Sequence, residues 1–329
     1  MDFKNKFKNK LFLANEENFE QLAIELFNYQ YSANVVYRNY VQYLGLNMAD
    51  IITVEQIPFL PIEFFKTHEI RSGKYTPEIV FSSSGTSGMQ TSKHYLSDLL
   101  QYRNNSFRIF NHFYGDLSDY VILALLPSYL EREGSSLVYM VKEMIQSSNQ
   151  LESGFYLDNF DDLALSIQKL INAQKKFILL GVSFALMDFA EKFQIDIGNN
   201  IVMETGGMKG RRTEITRDEL HSLLCNQFAV ENIHSEYGMT ELLSQAYSQS
   251  NGIFSCAPGM KVFIRDQRDP LSLINNFENG CINIIDLANI DSCAFIATQD
   301  LGRKISEQEF LVNGRADSSD IRGCNLMIS

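Results

Sequence analysis

The run Phe177-Ile178-Leu179-Leu180 decides the fold. Four apolar residues without alternation suit a strand buried on both faces, as in a parallel sheet. Upstream, Leu163, Ile167, Leu170 and Ile171 form one helical stripe. Asp161 and Asp162 precede it, and their charges favour a helix N-terminus. Downstream, residues 184–193 and 216–228 read as helices, with Ile201-Val202-Met203 a strand between them that ends at Thr205-Gly206-Gly207. Further out, residues 120–126 form a nearly continuous apolar run stopped by Pro127, followed by a helix over about 136–146. Strand alternating with helix predicts an α/β fold with parallel strands. Residues 15–45 read as helical from the spacing of Phe19, Leu22, Ala23, Leu26 and Phe27. Pro58 and Pro61 keep 57–65 out of any regular helix. After Asn251 the texture changes. Residues 261–265, 281–285 and 295–298 read as short strands with few helices between, a β-rich subdomain closing the chain.

Composition narrows the function classes. With 329 residues, 45% of them hydrophobic, the chain can bury a large core in one or two domains. A net charge of −12 removes the positive footprint of a general nucleic-acid binder. Lys209, Arg211 and Arg212 form a local basic patch suited to an anionic small molecule. The five cysteines, Cys225, Cys256, Cys281, Cys293 and Cys324, are odd in number and contain no CxxC pair. The basic N-terminus lacks the apolar region of a secretory signal. Together these features predict free thiols and a cytoplasmic protein. No apolar run approaches the roughly 18 residues of a membrane span.

Four clusters carry candidate chemistry. Ser82-Ser83-Ser84-Gly85-Thr86-Ser87-Gly88 follows the β-type run Glu78-Ile79-Val80-Phe81. Its glycines let backbone N–H groups approach a ligand, and its hydroxyls add donors, which suits phosphate oxygens. It is not a Walker A loop, because no Gly-Lys-Ser/Thr follows Gly88. In Ser235-Glu236-Tyr237-Gly238-Met239-Thr240-Glu241, Tyr237 suits a flat base, Thr240 a phosphate and Glu241 Mg²⁺, a cation that prefers oxygen ligands. The plainer alternative is a turn leading into a helix, with Glu241 in its first turn. Asp300, in Thr298-Gln299-Asp300-Leu301-Gly302, suits ribose hydroxyls if it ends a strand, since an ionised carboxylate only accepts hydrogen bonds. Arg315, in Gly314-Arg315-Ala316-Asp317, suits phosphate or ribose; a solvated surface arginine is the plainer alternative. A fifth segment, Gly181-Val182-Ser183-Phe184-Ala185, resembles the Gly-x-Ser-x-Gly elbow of serine hydrolases, with His221 and His234 downstream. Its fifth position is alanine, and a strand-to-helix turn with Ser183 as N-cap accounts for it equally well.

The four clusters stand in the order found in the acyl-adenylate-forming superfamily of acyl-CoA synthetases, adenylation domains and luciferases. A narrower resemblance rests on Leu126-Pro127-Ser128-Tyr129-Leu130-Glu131-Arg132, Ser135-Ser136-Leu137-Val138-Tyr139-Met140 and Glu204-Thr205-Gly206-Gly207-Met208-Lys209-Gly210-Arg211. These resemble the acyl-protein synthetases of bacterial bioluminescence. The resemblance implies the large N-terminal-type domain of these enzymes, with parallel-rich sheets flanked by helices and a β-rich closing subdomain. It implies an acyl-adenylating domain over 1–312, and over 313–329 a hinge-like motif and tail. ATP and Mg²⁺ are the implied cofactors. Ser83, Ser84, Gly85, Thr86, Ser87, Gly88, Gly206, Gly207, Tyr237, Gly238, Thr240, Asp300 and Arg315 are the implied nucleotide residues, and Glu241 the metal ligand. Thr240, Glu241 and Cys324 are the implied catalytic residues. In that family a fatty acid is activated to an acyl-adenylate and the acyl group passes to a cysteine near the C-terminus. A partner reductase, or a carrier protein, then collects it. Two departures stand out. Lys93 comes later than the family's loop lysine, after Met89-Gln90-Thr91-Ser92. The sequence also ends where the family's mobile C-terminal domain and its adenylation lysine would begin, so an internal thiol is the expected acceptor in place of coenzyme A. A serine hydrolase using Ser183, or a non-catalytic protein that binds only nucleotide or a partner, are the competing readings.

Overall fold

The computed structural model describes residues 3–83, 90–127, 134–206, 215–274 and 277–316. The described chain divides into two compact units, one made of residues 3–102, 240–244 and 255–316, the other of 103–239 and 245–254.

The first unit opens with helices α1 (Phe3–Leu11), α2 (Phe19–Ala33) and α3 (Val35–Tyr43). The helical stretch expected over 15–45 is thus divided between α2 and α3. Asn34 stands between them in an extended conformation, and its side chain accepts the Tyr37 N–H at 3.0 Å, an N-cap that restarts the helix. The proline-bearing stretch gives the short strand β1 (Leu60–Pro61) and one turn of helix, α4 (Phe64–Thr67). Next comes an antiparallel hairpin, β2 (Ile79–Ser82) and β3 (Lys93–Leu96), with Phe81 opposite His94 and Ser82 opposite Lys93. The Ser/Gly-rich segment is the loop of this hairpin, so a strand does deliver it. Helix α5 (Leu99–Tyr114) carries the chain into the second unit.

The second unit is a parallel sheet with helices between its strands. In chain order it contains β4 (Val121–Leu125), α6 (Ser136–Ser147), β5 (Gly154–Tyr156), α7 (Phe160–Asn172), β6 (Phe177–Val182), α8 (Ser183–Lys192), β7 (Ile201–Thr205), α9 (Arg217–Phe228), β8 (His234–Tyr237) and β9 (Ala246–Ser248). The strand order is β5-β4-β6-β7-β8-β9, all parallel except β9. Every residue of β4 and β6 is buried, as their unbroken apolar runs require. Thr216 begins α9 as expected, accepting the Glu219 N–H at 3.2 Å while the Glu219 carboxylate takes the Thr216 N–H at 2.8 Å. Strand β10 (Ile253–Cys256) returns the chain to the first unit.

There the β-rich region forms as expected. It contains β11 (Met260–Arg265), β12 (Gly280–Asp286), β13 (Phe295–Lys304) and β14 (Glu309–Arg315), each antiparallel to the next, with β1 parallel to β13. Strand β13 runs well beyond the expected 295–298. Gly302 permits this, because a Cβ there would stand 2.1 Å from the Leu311 carbonyl oxygen. The register shifts between Leu301 and Gly302. Asp300 therefore lies within a strand, beside a bulge, and not at a strand end.

Candidate active site

In the first unit the hairpin loop is closed at its neck by Ser83 and Ser92. Ser83 N–H donates to the Ser92 carbonyl at 3.1 Å, and Ser92 N–H donates to Ser83 Oγ at 2.9 Å. Residues Ser84, Gly85, Thr86, Ser87 and Gly88 lie outside the described residues. Lys93 starts β3 opposite Ser82 and is exposed. Ser92, His94 and Leu96 alternate onto the buried face of this strand.

That face meets the Thr240–Glu241 segment. The Ser92 hydroxyl stands within hydrogen-bonding reach of the Glu241 carboxyl. His94 Nδ1 lies 2.8 Å from the Thr240 carbonyl oxygen. Asn289 Nδ2 donates to the Glu241 carbonyl at 2.7 Å. Asp286 fixes the next two residues. Its carboxylate accepts the N–H groups of Leu243 and Ser244 at 2.7 and 3.0 Å, and the Ser244 hydroxyl at 2.7 Å. No helix follows Glu241, which sits in a turn before β9. The helix-start alternative is therefore removed.

Glu241 is 5% exposed. Burial raises its pKa, while the Ser92 hydroxyl and the charges of Arg315 and Lys66 pull the other way. Such a carboxyl is short of positive charge. Among the described residues no group of three or more His, Cys, Asp or Glu side chains is disposed to hold a metal. The donor set fits Mg²⁺ held by one protein carboxylate with phosphate oxygens and water completing the shell, the usual way this ion is bound beside a nucleotide.

Asp300 and Arg315, drawn from separate segments of sequence, are directly opposed across β13 and β14. Arg315 Nε lies 3.5 Å from Asp300 Oδ1. The arginine is 72% exposed and the aspartate side chain 13%, so the pair presents a guanidinium to solvent over a half-sheltered carboxylate. The strand beneath is pinned by Arg265, whose Nη2 donates to the Thr298 carbonyl at 2.6 Å, while Thr298 Oγ1 accepts the Asp300 N–H at 3.1 Å.

In the second unit, polar residues collect at the C-terminal ends of parallel strands β6, β7 and β8, the end at which open α/β sheets bind ligands. Tyr237 ends β8 and packs against Phe254, ring centroids 5.7 Å apart. A Cβ at Gly238 would meet Glu236 Oε1 at 2.5 Å, so a larger residue there would force that carboxyl to shift. Thr205 Oγ1 donates to Glu236 Oε2 at 2.5 Å. Burial pushes the Glu236 carboxyl up to about 7, and the neighbouring Glu204 charge adds to the shift. Glu204 behaves oppositely. Burial alone would raise it, but His221, Arg217 and Ser235 outweigh burial and hold it below the usual range. Gly206 ends β7 with φ +71°; Gly207 lies outside the described residues, as does Cys324.

Ser183 is not an N-cap. It is the first residue of α8, and its Oγ donates to the Gly206 carbonyl at 2.7 Å and approaches Glu204 Oε2 at 3.1 Å. The downstream histidines face elsewhere. His221 approaches Glu204 at 3.6 Å and Ser235 at 3.4 Å, and His234 lies 3.2 Å from the Tyr114 hydroxyl. The serine–histidine hydrogen bond of a hydrolase is not formed among the described residues, and Ser183 serves to tie α8 to β7.

Similarity to known proteins enters through shape. No protein-family model matches the chain, and no curated protein matches it. Solved structures do. ATP-bound MatB from Rhodopseudomonas palustris matches with a TM-score of 0.54 at 14% identity, over 72% of this chain and 47% of that enzyme. 2-Hydroxyisobutyryl-CoA ligase in complex with 2-HIB-AMP matches with a TM-score of 0.67 at 12% identity, over 92% of this chain and 68% of that one. The AMP complex of O-succinylbenzoate coenzyme A synthetase (MenE) from Bacillus subtilis matches with a TM-score of 0.52 at 16% identity, over 74% and 50%. The fold is that of the N-terminal domain of acyl-adenylate-forming ligases. The chain spans about half the length of the MatB and MenE enzymes. Among the described residues no helix is long and apolar enough to cross a membrane.

Sequence reasoning missed Ser92, His94, Asp286, Asn289 and Arg265, each of which holds another residue in place. It also passed over Glu236 as a titrating group.

Proposed function

We propose that this protein activates a carboxylic acid, of the fatty-acid class, with ATP, and then passes the acyl group to its own Cys324 for delivery to a reductase or carrier protein. One observation carries the reading: the neck of the Ser/Gly loop and the Thr240–Glu241 segment, far apart in sequence, meet through Ser92 and His94. The neck of a loop whose sequence suits phosphates thus stands beside a buried carboxyl short of positive charge. Asp300 and Arg315, paired across their strands, suit the ribose and its phosphate, and Tyr237 the base. Ser83 and the loop after it, with Gly206, Gly207 and Gly238, supply close backbone approach.

A carboxylate and a triphosphate repel each other, and attack proceeds only where that repulsion is screened. Mg²⁺ bound at Glu241 would supply part of this screening. Loop N–H groups, the Thr240 hydroxyl and Arg315 supply the rest. The carboxylate oxygen bonds to the α-phosphorus as pyrophosphate leaves. In the second half-reaction a thiolate bonds to the acyl carbon and AMP departs. The other cysteines are poorly suited to this step. Burial pushes Cys256 and Cys293 up to about 12 and raises Cys225 and Cys281, and a thiol that stays protonated is a weak nucleophile. Cys324 follows Arg322, a cation, and Gly323 in the sequence.

The test is pyrophosphate release with ATP, Mg²⁺ and a panel of acids graded in chain length. Glu241→Gln is expected to slow release at least tenfold, about 1.4 kcal/mol in the barrier; an unchanged rate removes the metal assignment. Intact-mass measurement is expected to find a hydroxylamine-labile acyl group on wild type and none on Cys324→Ser, which still releases pyrophosphate. Label on another cysteine would refute the acceptor. Reaction of Ser183 with a fluorophosphonate, without pyrophosphate release, would favour a hydrolase.

A further inference from the structure

We propose that His94 is a positioning residue for the cation-binding carboxyl, an inference that rests on the nucleotide reading above. His94 is 1% exposed and sits on β3, two residues beyond the neck of the Ser/Gly loop. Its Nδ1 is 2.8 Å from the Thr240 carbonyl oxygen. A carbonyl only accepts, so Nδ1 carries the proton in the neutral ring, and the Asn289 side chain also stands within hydrogen-bonding reach of that ring. Phe65 packs edge-on against the ring at 5.9 Å between centroids, fixing its plane. Asn289 holds the following carbonyl, that of Glu241, at 2.7 Å. Two successive peptide carbonyls are therefore clamped from two sides, one by β3 and one by the 286–291 loop. The side chain between the clamps is Glu241, and Ser92, on the same face as His94, reaches its carboxyl. Backbone held at both peptides leaves the carboxyl little freedom but its own rotamers. Ser92 and His94 thus hold the Thr240–Glu241 segment from one face of the strand.

Two substitutions separate this role from simple packing. His94→Asn keeps a side-chain N–H close to where Nδ1 stands; His94→Ala removes it. The measurement is binding of Mn²⁺ with ATP, followed by electron paramagnetic resonance, alongside the pyrophosphate-release rate, on full-length folded protein checked by circular dichroism. His94→Ala is expected to weaken Mn²⁺ affinity in the ATP complex about tenfold while changing ATP affinity without metal less than twofold, and His94→Asn is expected to recover most of the loss. Equal losses in both variants, or an intact Mn²⁺ affinity in His94→Ala, would overturn the proposal, as would wild type that binds no Mn²⁺ with ATP. If His94→Ala does not fold, His94→Gln and Asn289→Ala are measured instead. Loss of Mn²⁺ affinity in both at unchanged metal-free ATP affinity supports the clamp, and full affinity in both refutes it. Wild type that binds Mn²⁺ and ATP through this clamp yet releases no pyrophosphate with any acid would sink the ligase reading and leave His94 in its role.

Discussion

Replacing Glu236 by glutamine is expected to stabilise the protein at pH 8 and do little at pH 5. The carboxyl is buried under the Gly238 turn, and its pKa moves from an ordinary 4.5 to about 7. The folded state therefore holds this proton more tightly than the unfolded chain. Stability from the protonated acid is fully present below pH 4.5 and is lost as pH rises through 7. Every tenfold gain in proton affinity is worth about 1.4 kcal/mol, so the ionised group costs about 3 kcal/mol above pH 8. Glutamine mimics the protonated acid and still accepts the Thr205 hydroxyl. Between pH 5 and pH 8 its advantage over wild type should grow by about 2–3 kcal/mol. At this chain length that is about 3–4 °C in Tm. Thermal melts followed by far-UV circular dichroism at the two pH values give the answer. His94 and His234 are both lowered to about 4, chiefly by burial. They impose the opposite slope, losing stability as pH falls through 4, but they do so equally in both proteins and cancel in the comparison. A Tm difference that is the same at pH 5 and pH 8, or larger at pH 5, would refute the reasoning.

Asp300→Ala is expected to weaken ATP binding about tenfold or more, since each lost hydrogen bond to a charged acceptor is worth roughly 1.5–3 kcal/mol. Calorimetric titration with ATP and its 2′,3′-dideoxy analogue checks this, and a variant that still prefers ATP as strongly as wild type refutes it. Arg315→Ala should lower ATP affinity with under about 1 kcal/mol change in stability, because exposed ion pairs contribute little; a large loss of stability in urea would show the pair to be structural. Asp286→Ala leaves three N–H groups, those of Leu243, Ser244 and Ala288, and the Ser244 hydroxyl without their acceptor and should cost at least about 3 kcal/mol. A loss under about 1 kcal/mol on urea unfolding would mean that other groups hold the 240–244 segment.

What was legible in the sequence follows from what each element buries. Strands β4, β6 and β7 showed as apolar runs because helices cover both faces of a parallel sheet. Strand β8, His-Ser-Glu-Tyr, left no such trace because it buries its side chains in a polar cluster, where Glu204, Thr205 and His221 replace an apolar core. The break at Asn34 was hidden by apolar spacing that continues across it. Asp300 and Arg315 were each identifiable as candidates, but their pairing was not, since register between β13 and β14 depends on a bulge at Gly302. His94 and Asn289 act through backbone carbonyls, and a residue whose partner is a peptide group leaves no pattern in side-chain spacing.

Four of the buried carboxyls, Glu204, Glu236, Glu241 and Asp286, separate by how their charge is answered. Glu204 is met by Arg217, His221, Ser183 and Ser235 and stays ionised. Asp286 is met by backbone N–H groups and a serine hydroxyl, a set that fixes the chain and leaves no room for a ligand. Glu236 has one hydroxyl donor and relieves the mismatch by taking a proton near neutrality. Glu241 also has a single hydroxyl within reach, but unlike Glu236 it is influenced by two cations, Arg315 and Lys66. Those charges favour the ionised form without satisfying its oxygens. A buried carboxyl whose desolvation one hydroxyl and two cations only partly offset is a place where a divalent cation lowers the free energy of the fold on binding. By this comparison Glu241, and not the equally buried Glu236 or Asp286, is the carboxyl whose environment a metal ion would complete. Mg²⁺ added to the ATP complex should therefore raise the Tm of wild type further and leave that of ATP-bound Glu241→Gln nearly unmoved. An equal rise in both would transfer the metal site to another residue.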